Sequence, residues 1–154
     1  MKADLHLHTW YSDGTEAPAE MIRRAARLGF GAAGITDHDT VDGIPEAMEE
    51  GKRLGVLVIP GVEVTSRLGP VEIHMLLYFN PACGSGAGWR HPDLEAELAE
   101  QNRSRTNRIR GIVQRLSDLG VPLKADDVLR LAARSERGEG APIAAGRPHV
   151  ARAL

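Results

Sequence analysis

Lys2-Ala3-Asp4-Leu5-His6-Leu7-His8 opens the chain as an alternating run. Period-two alternation is the mark of a β-strand, so Ala3, Leu5 and Leu7 fall on one face and Asp4, His6 and His8 on the other. Two imidazoles therefore leave one strand in the same direction. Downstream, Pro18 suits the first turn of a helix, and Met21, Ile22, Ala25 and Leu28 follow at helical spacing up to Gly29. A short apolar strand, Ala32 to Thr36, then runs into Asp37-His38-Asp39-Thr40, and a second helix is expected from Ile44 to Leu54, ending at Gly55.

The pattern so far is β-α-β-α, and it continues. A strand from Val56 to Ile59 leads through Pro60-Gly61 into Val62-Glu63-Val64, and after Gly69-Pro70 a last strand, Val71 to Phe79, carries Glu72, His74, Leu76 and Tyr78 on one face. Alternating strands and helices predict a parallel α/β sheet or barrel whose site gathers at the carboxyl ends of the strands. Asn80 to His91 is rich in Gly, Pro and Ala and reads as a loop or boundary. Beyond it the chain turns helical, from about Pro92 to Leu119, from Asp126 to Ala133, and again from Pro148.

Bulk properties narrow the class. The 154 residues, 42% of them hydrophobic, are enough for one domain with a buried core. The single cysteine, Cys83, excludes an internal disulfide framework and a cysteine-rich zinc module. No secretory pattern opens the chain and no apolar run approaches the roughly 20 residues of a membrane span, so a cytoplasmic protein without a membrane partner is the expectation. The formal charge of −2 conceals an asymmetry: residues 1–100 hold 8 Lys+Arg against 16 Asp+Glu, whereas residues 101–154 hold 11 against 5. An acidic half suits cations and a basic half suits an anionic ligand.

The residues that carry chemistry are His6, His8, Asp13, His38, Glu63 and His74. Imidazole nitrogens and carboxylate oxygens serve zinc, manganese or iron without cysteine. Taken singly each is ordinary, since paired histidines also decorate solvated strands. As an ordered set, each member at or near a predicted strand end, they exceed one tetrahedral site and predict two or three divalent metal ions (Mn²⁺, Zn²⁺ or Fe²⁺) sharing ligands. Closely spaced metals are what phosphoester cleavage exploits. Asp4, Asp37 and Asp39 are then expected to orient imidazoles or tune charge from behind the ligands.

Asp4-Leu5-His6-Leu7-His8-Thr9 with Ser12-Asp13-Gly14-Thr15, Ile35-Thr36-Asp37-His38-Asp39-Thr40 and Pro60-Gly61-Val62-Glu63-Val64 resembles the PHP (polymerase and histidinol phosphatase) family. Within it the wording is similar to that of the stand-alone phosphoesterases acting on nucleoside 3′,5′-bisphosphates and on the 5′ ends of short RNA. The resemblance is strong over residues 2–80 and looser beyond. It implies a partial, distorted (β/α)7 barrel: residues 1–91 as the N-terminal half of the metal-binding barrel, residues 92–154 as an incomplete helical insertion or cap. It implies that His6 and His8 hold one metal, that Glu63 bridges it to a second held by His74, and that Asp13 and His38 serve a third. A metal-bridging hydroxide would be the nucleophile. Five arginines and no acid lie between Arg103 and Arg115, and Arg134, Ser135, Arg147 and His149 fall where similar proteins grip the substrate's second phosphate.

A small phosphorylated substrate, a nucleotide or a short RNA end, is the implied partner, with no stable duplex nucleic acid. Histidinol phosphate hydrolysis and a non-catalytic binding or structural module are the alternative readings. Members of this kind also carry a His, usually before Pro, and a late Asp-x-His pair. After His74 the only histidines are His91 and His149, neither in such a motif, so the reading expects a fragment, a truncated gene product or half of a split protein, truncated at its C-terminus and of uncertain activity on its own.

Overall fold

The computed structural model describes residues 1–80, 88–133 and 144–154. Four strands form one sheet in the order β1 (Lys2–Leu7), β2 (Phe30–Ile35), β3 (Leu57–Leu68), β4 (Val71–Tyr78). Helix α1 (Pro18–Arg27) connects β1 to β2 and α2 (Ile44–Leu54) connects β2 to β3. The three strands so joined run parallel. Pro18 and Pro45 sit in the first turns, and each helix is followed by a glycine in the left-handed region, Gly29 at φ 74° and Gly55 at φ 71°, where a side chain would be strained.

The helices pack against each other and against the sheet through Ile22, Ala25, Ile44 and Ala47, which meet Ala33, Ile35, Val58 and Val62. Strand β2 is buried on both faces from Ala32 to Ile35, as an inner parallel strand should be. This half of an α/β barrel is the expected fold class, with two corrections. Strand β4 runs antiparallel to β3, in register from Gly61↔Tyr78 to Leu68↔Val71, because Gly69-Pro70 is a hairpin-length link and a parallel return needs a crossover of a dozen residues or more. Strand β3 also does not break at Pro60-Gly61. Its first part pairs with β2 as far as Pro60 and its second part pairs with β4, so one twelve-residue strand joins the parallel and antiparallel portions. A methyl at Gly61 would lie 2.8 Å from Thr36 Cγ2, so the close approach of these segments requires glycine there.

Helix α3 (Pro92–Asp118) spans 27 residues and its amino half reaches the barrel core through Leu98, near Trp89. Its carboxyl half builds a second core: Ile109 and Val113 pack with Val128 and Ala132 of α4 (Ala125–Ala133) and Val150 of α5 (Arg147–Ala153). His91 is exposed and caps α3, its Nδ1 accepting from the Asp93 amide at 3.3 Å. The apolar face of β4 (Val71, Ile73, Met75 and Leu77) is exposed, and so is Leu5 of β1, whose apolar face therefore lacks the cover that its alternation predicts.

Candidate metal centre

Backbone pairing carries the candidate ligands to one place. Thr36 donates to the Leu7 carbonyl at 2.9 Å, setting the exit of β1 beside the exit of β2. Past β2, the Asp37-His38-Asp39 segment continues along β3: Glu63 donates to the Asp37 carbonyl at 3.1 Å and Asp39 donates to the Glu63 carbonyl at 3.0 Å, so His38 and Glu63 form a parallel bridge. His74 arrives from β4, opposite Thr65. Asp13 comes from the loop after β1, a turn so tight that a methyl on Gly14 would lie 2.4 Å from the His8 carbonyl oxygen.

All six side chains meet there, in three overlapping groups: His6, His8 and Glu63; His8, Asp13 and His38; His38, Glu63 and His74. In the first, Glu63 Oε2 lies 2.7 Å from His6 Nε2 and 2.9 Å from His8 Nε2, and the two nitrogens are 3.0 Å apart. Two ligands about 2.0–2.2 Å from one ion stand roughly 3 Å from each other, so this triangle fits the edges of a coordination shell. In the second, His8 Nδ1 is 3.0 Å from Asp13 Oδ1 and His38 Nε2 is 3.8 Å from Asp13 Oδ2. In the third, His74 Nδ1 is 3.3 Å from Glu63 Oε1, while His38 Nδ1, buried with no hydrogen bond among the described residues, faces Glu63 Oε2 at 3.8 Å. A buried imidazole nitrogen without a partner is costly unless a cation takes its lone pair. The donor set, the spacing and this orphaned atom all fit divalent metal.

Electrostatics prepare the ligands. Burial, with the Arg105 charge as second cause, lowers His38 to about 4, leaving it neutral and able to donate at neutral pH. Asp13 is held down at about 2: burial opposes the charge, but the hydrogen bond from His8 and the neighbouring imidazoles outweigh it. Burial also opposes the charge on His8, and Asp13, Asp37 and Glu63 together overcome it, so His8 is raised. Glu63 is lowered by His6, His38 and His8 against its own burial.

Of the three aspartates expected to orient imidazoles or tune charge, none hydrogen-bonds a ligand imidazole among the described residues, while the Asp37 charge helps to raise His8. Asp37 accepts from the Thr9 amide and hydroxyl, each at 2.7 Å, and from Ser12 Oγ at 2.6 Å; it pins the β1 loop, and burial raises it. Asp39, at φ 49°, accepts from the Thr65 amide and hydroxyl, each at 2.7 Å, and from Arg105 Nε of α3. Asp4 accepts from the His6 amide at 3.2 Å. The group behind an imidazole is instead Glu72, 3.3 Å from His74 Nε2 and bonded to Arg108, which holds it at about 2. Its two-residue offset from His74 on β4 is the signal that could have singled it out.

Of the expected phosphate-gripping residues, Arg134 and Ser135 lie outside the described residues. Arg147 is exposed, 3.7 Å from Glu72, and His149 is buried, its Nδ1 accepting from the Gly146 amide at 3.1 Å at the start of α5.

The PHP domain family model matches residues 4–125. Over 131 residues the chain is 38% identical to the 5′-3′ exoribonuclease Rnm of Salmonella typhimurium, covering 84% of this chain and 42% of that protein. It is 32% identical over 127 residues to the 3′,5′-nucleoside bisphosphate phosphatase of Chromobacterium violaceum, covering 82% and 42%. Among solved structures, a protein of Bifidobacterium adolescentis assigned as a metal-dependent phosphoesterase superposes over 100% of this chain and 49% of its own, with TM-score 0.82 and 34% identity. An amidohydrolase of Chromobacterium violaceum with bound sulfate gives the same coverage and TM-score at 30% identity. The chain thus spans a little under half the length of these relatives.

Proposed function

Because the chain belongs to the PHP domain family, we propose that it supplies the metal-binding part of a phosphoesterase acting on nucleoside 3′,5′-bisphosphates or the 5′ ends of short RNA. The observation that carries the proposal is that the six ligands fall into three overlapping groups and that the two Glu63 oxygens face different ones, Oε2 toward His6 and His8 and Oε1 toward His74, which suits two or three adjacent ions better than one. His6 and His8 would hold one ion, Glu63 would join it to a second held by His74, and Asp13 with His38 would hold a third. When bound, such ions supply Lewis acidity, activating water and neutralising phosphoryl oxygens.

The chain's own residues do the rest. The buried carboxylates of Asp37 and Asp39 fix the loops that carry His8, Asp13 and His38, so the ligands are set before substrate arrives. Glu72 aligns His74, and Arg108 and Arg147 stand beside Glu72 as cations that suit an anionic substrate. Helices α3, α4 and α5 act as a cap in this reading. The names of the relatives, an exoribonuclease and a bisphosphate phosphatase, support the substrate class. Phosphate release from adenosine 3′,5′-bisphosphate and from 5′-phosphorylated short RNA, followed with Mn²⁺ and abolished by chelator, tests it. Absence of release with Mn²⁺, Zn²⁺ and Fe²⁺ alike contradicts it.

A further inference from the structure

Beside the metal centre, and separated from it by Glu72, lies a cavity of about 460 Å³ lined by Thr65, Arg67, Glu72, Gln101, Ser104, Arg105, Arg108 and Arg115. Four arginines face one carboxylate. Arg105 is committed to the buried Asp39, and Arg108 to Glu72. Arg67, on the β3–β4 hairpin, and Arg115, on α3, make no side-chain hydrogen bond or ion pair among the described residues, so two uncompensated guanidiniums face one cavity from different elements. Ser104 adds a hydroxyl and Gln101 an amide whose nitrogen bonds Glu97 at 2.8 Å.

Exposed guanidiniums that hold no protein carboxylate are available to an anion, and two of them lining one cavity from a hairpin and a helix raise the positive potential that such an anion meets. Planar guanidinium forks and a hydroxyl are the donors that phosphate oxygens accept best. We infer that this cavity binds a phosphate group of a nucleotide chain whose reacting end lies at the metal centre. The continuity runs through single side chains: Glu72 touches His74 on one side and Arg108 on the other. The inference rests on the proposed phosphoesterase reading only for which polyanion is bound. The phosphate could be an internal diester of a short RNA or the second phosphate of a bisphosphate nucleotide.

Fluorescence anisotropy in EDTA separates this site from the metal reading, because no metal and no turnover contribute to the signal. The probes are a labelled 5′-phosphorylated oligoribonucleotide and, as competitor, adenosine 3′,5′-bisphosphate. Arg67 and Arg115 are exposed, so the double variant R67A/R115A should fold, with an unchanged melting temperature as the check. Its affinity for the oligonucleotide should fall roughly tenfold at low salt, and the slope of log affinity against log salt should shrink by about 1, as loss of one to two phosphate contacts requires. The control R103A/R110A removes the same charge from α3 positions that do not line the cavity, and should cost less than about threefold. If only the oligonucleotide weakens, the phosphate is an internal diester; if the bisphosphate weakens as much, it is the small substrate's second phosphate. Equal weakening by control and test variants, or none by R67A/R115A, overturns the site.

Discussion

Replacing Arg105 with methionine should unfold the chain more readily than any other single charge removal on α3. Arg105 is 5% exposed and its Nε donates to Asp39, which is fully buried in the left-handed region beside His38. Asp39 keeps two donors from Thr65 in the variant but loses its only counter-charge within 4 Å among the described residues. An orphaned buried charge costs about 3–5 kcal/mol, whereas replacing both partners with uncharged groups of similar size is far milder. The expected loss for R105M is therefore about 3 kcal/mol, or roughly 6–12 °C in melting temperature for a domain of this size. For D39N/R105M it is roughly 1 kcal/mol, the signature of coupling between neighbours. Guanidinium denaturation at pH 7 on metal-free protein measures both. The same variant removes the second cause of the lowered His38, so its ring should titrate at higher pH by NMR. A loss under about 1 kcal/mol in R105M, or equal losses in single and double variants, would refute the argument that this ion pair seats α3 on the barrel.

Other outcomes follow from the same geometry. In metal-free protein the Asp13–His8 pair should stabilise most between about pH 4 and 6.5. Asp13's lowered value makes its contribution present above the usual 3.8 and lost as pH falls through about 2; His8's raised value makes its contribution complete below 6.5 and lost as pH rises past it. The stability difference between wild type and D13N, up to about 2 kcal/mol, should peak in that window, and a flat difference across pH 2–9 would contradict the pairing. Metal affinity should rise from pH 6 to 8 as His8 gives up its proton, read by calorimetric titration at each pH. The G14A variant should lose metal binding without losing secondary structure by circular dichroism, because a methyl cannot fit against the His8 carbonyl.

Much of this was legible in the residues. Periodicity and punctuation placed α2 at Ile44–Leu54 with Gly55 beyond it, and the alternation of β1 put His6 and His8 on one side. Parallel pairing then made the meeting of His8, His38 and Glu63 at strand exits foreseeable, since carboxyl ends of parallel strands share an edge. What escaped was non-local. The direction of β4 depended on giving Gly69-Pro70 more weight than the β-α rhythm. The partners of Asp37 and Asp39 are a loop hydroxyl 25 residues back and an arginine 66 residues on, which no spacing rule connects. Glu72 shared a strand face with His74, yet its tie to Arg108 exists only because the fold brings that α3 side chain to β4.

The central claim is that six side chains hold adjacent divalent ions. Elemental analysis of the chain after equilibration with Mn²⁺ or Zn²⁺ and removal of free metal reads this directly, with E63Q measured alongside. Two or three equivalents per chain, falling to one or fewer in E63Q because Glu63 serves two of the three groups, is the predicted result; no bound metal in the wild type, or the same content in both proteins, contradicts it.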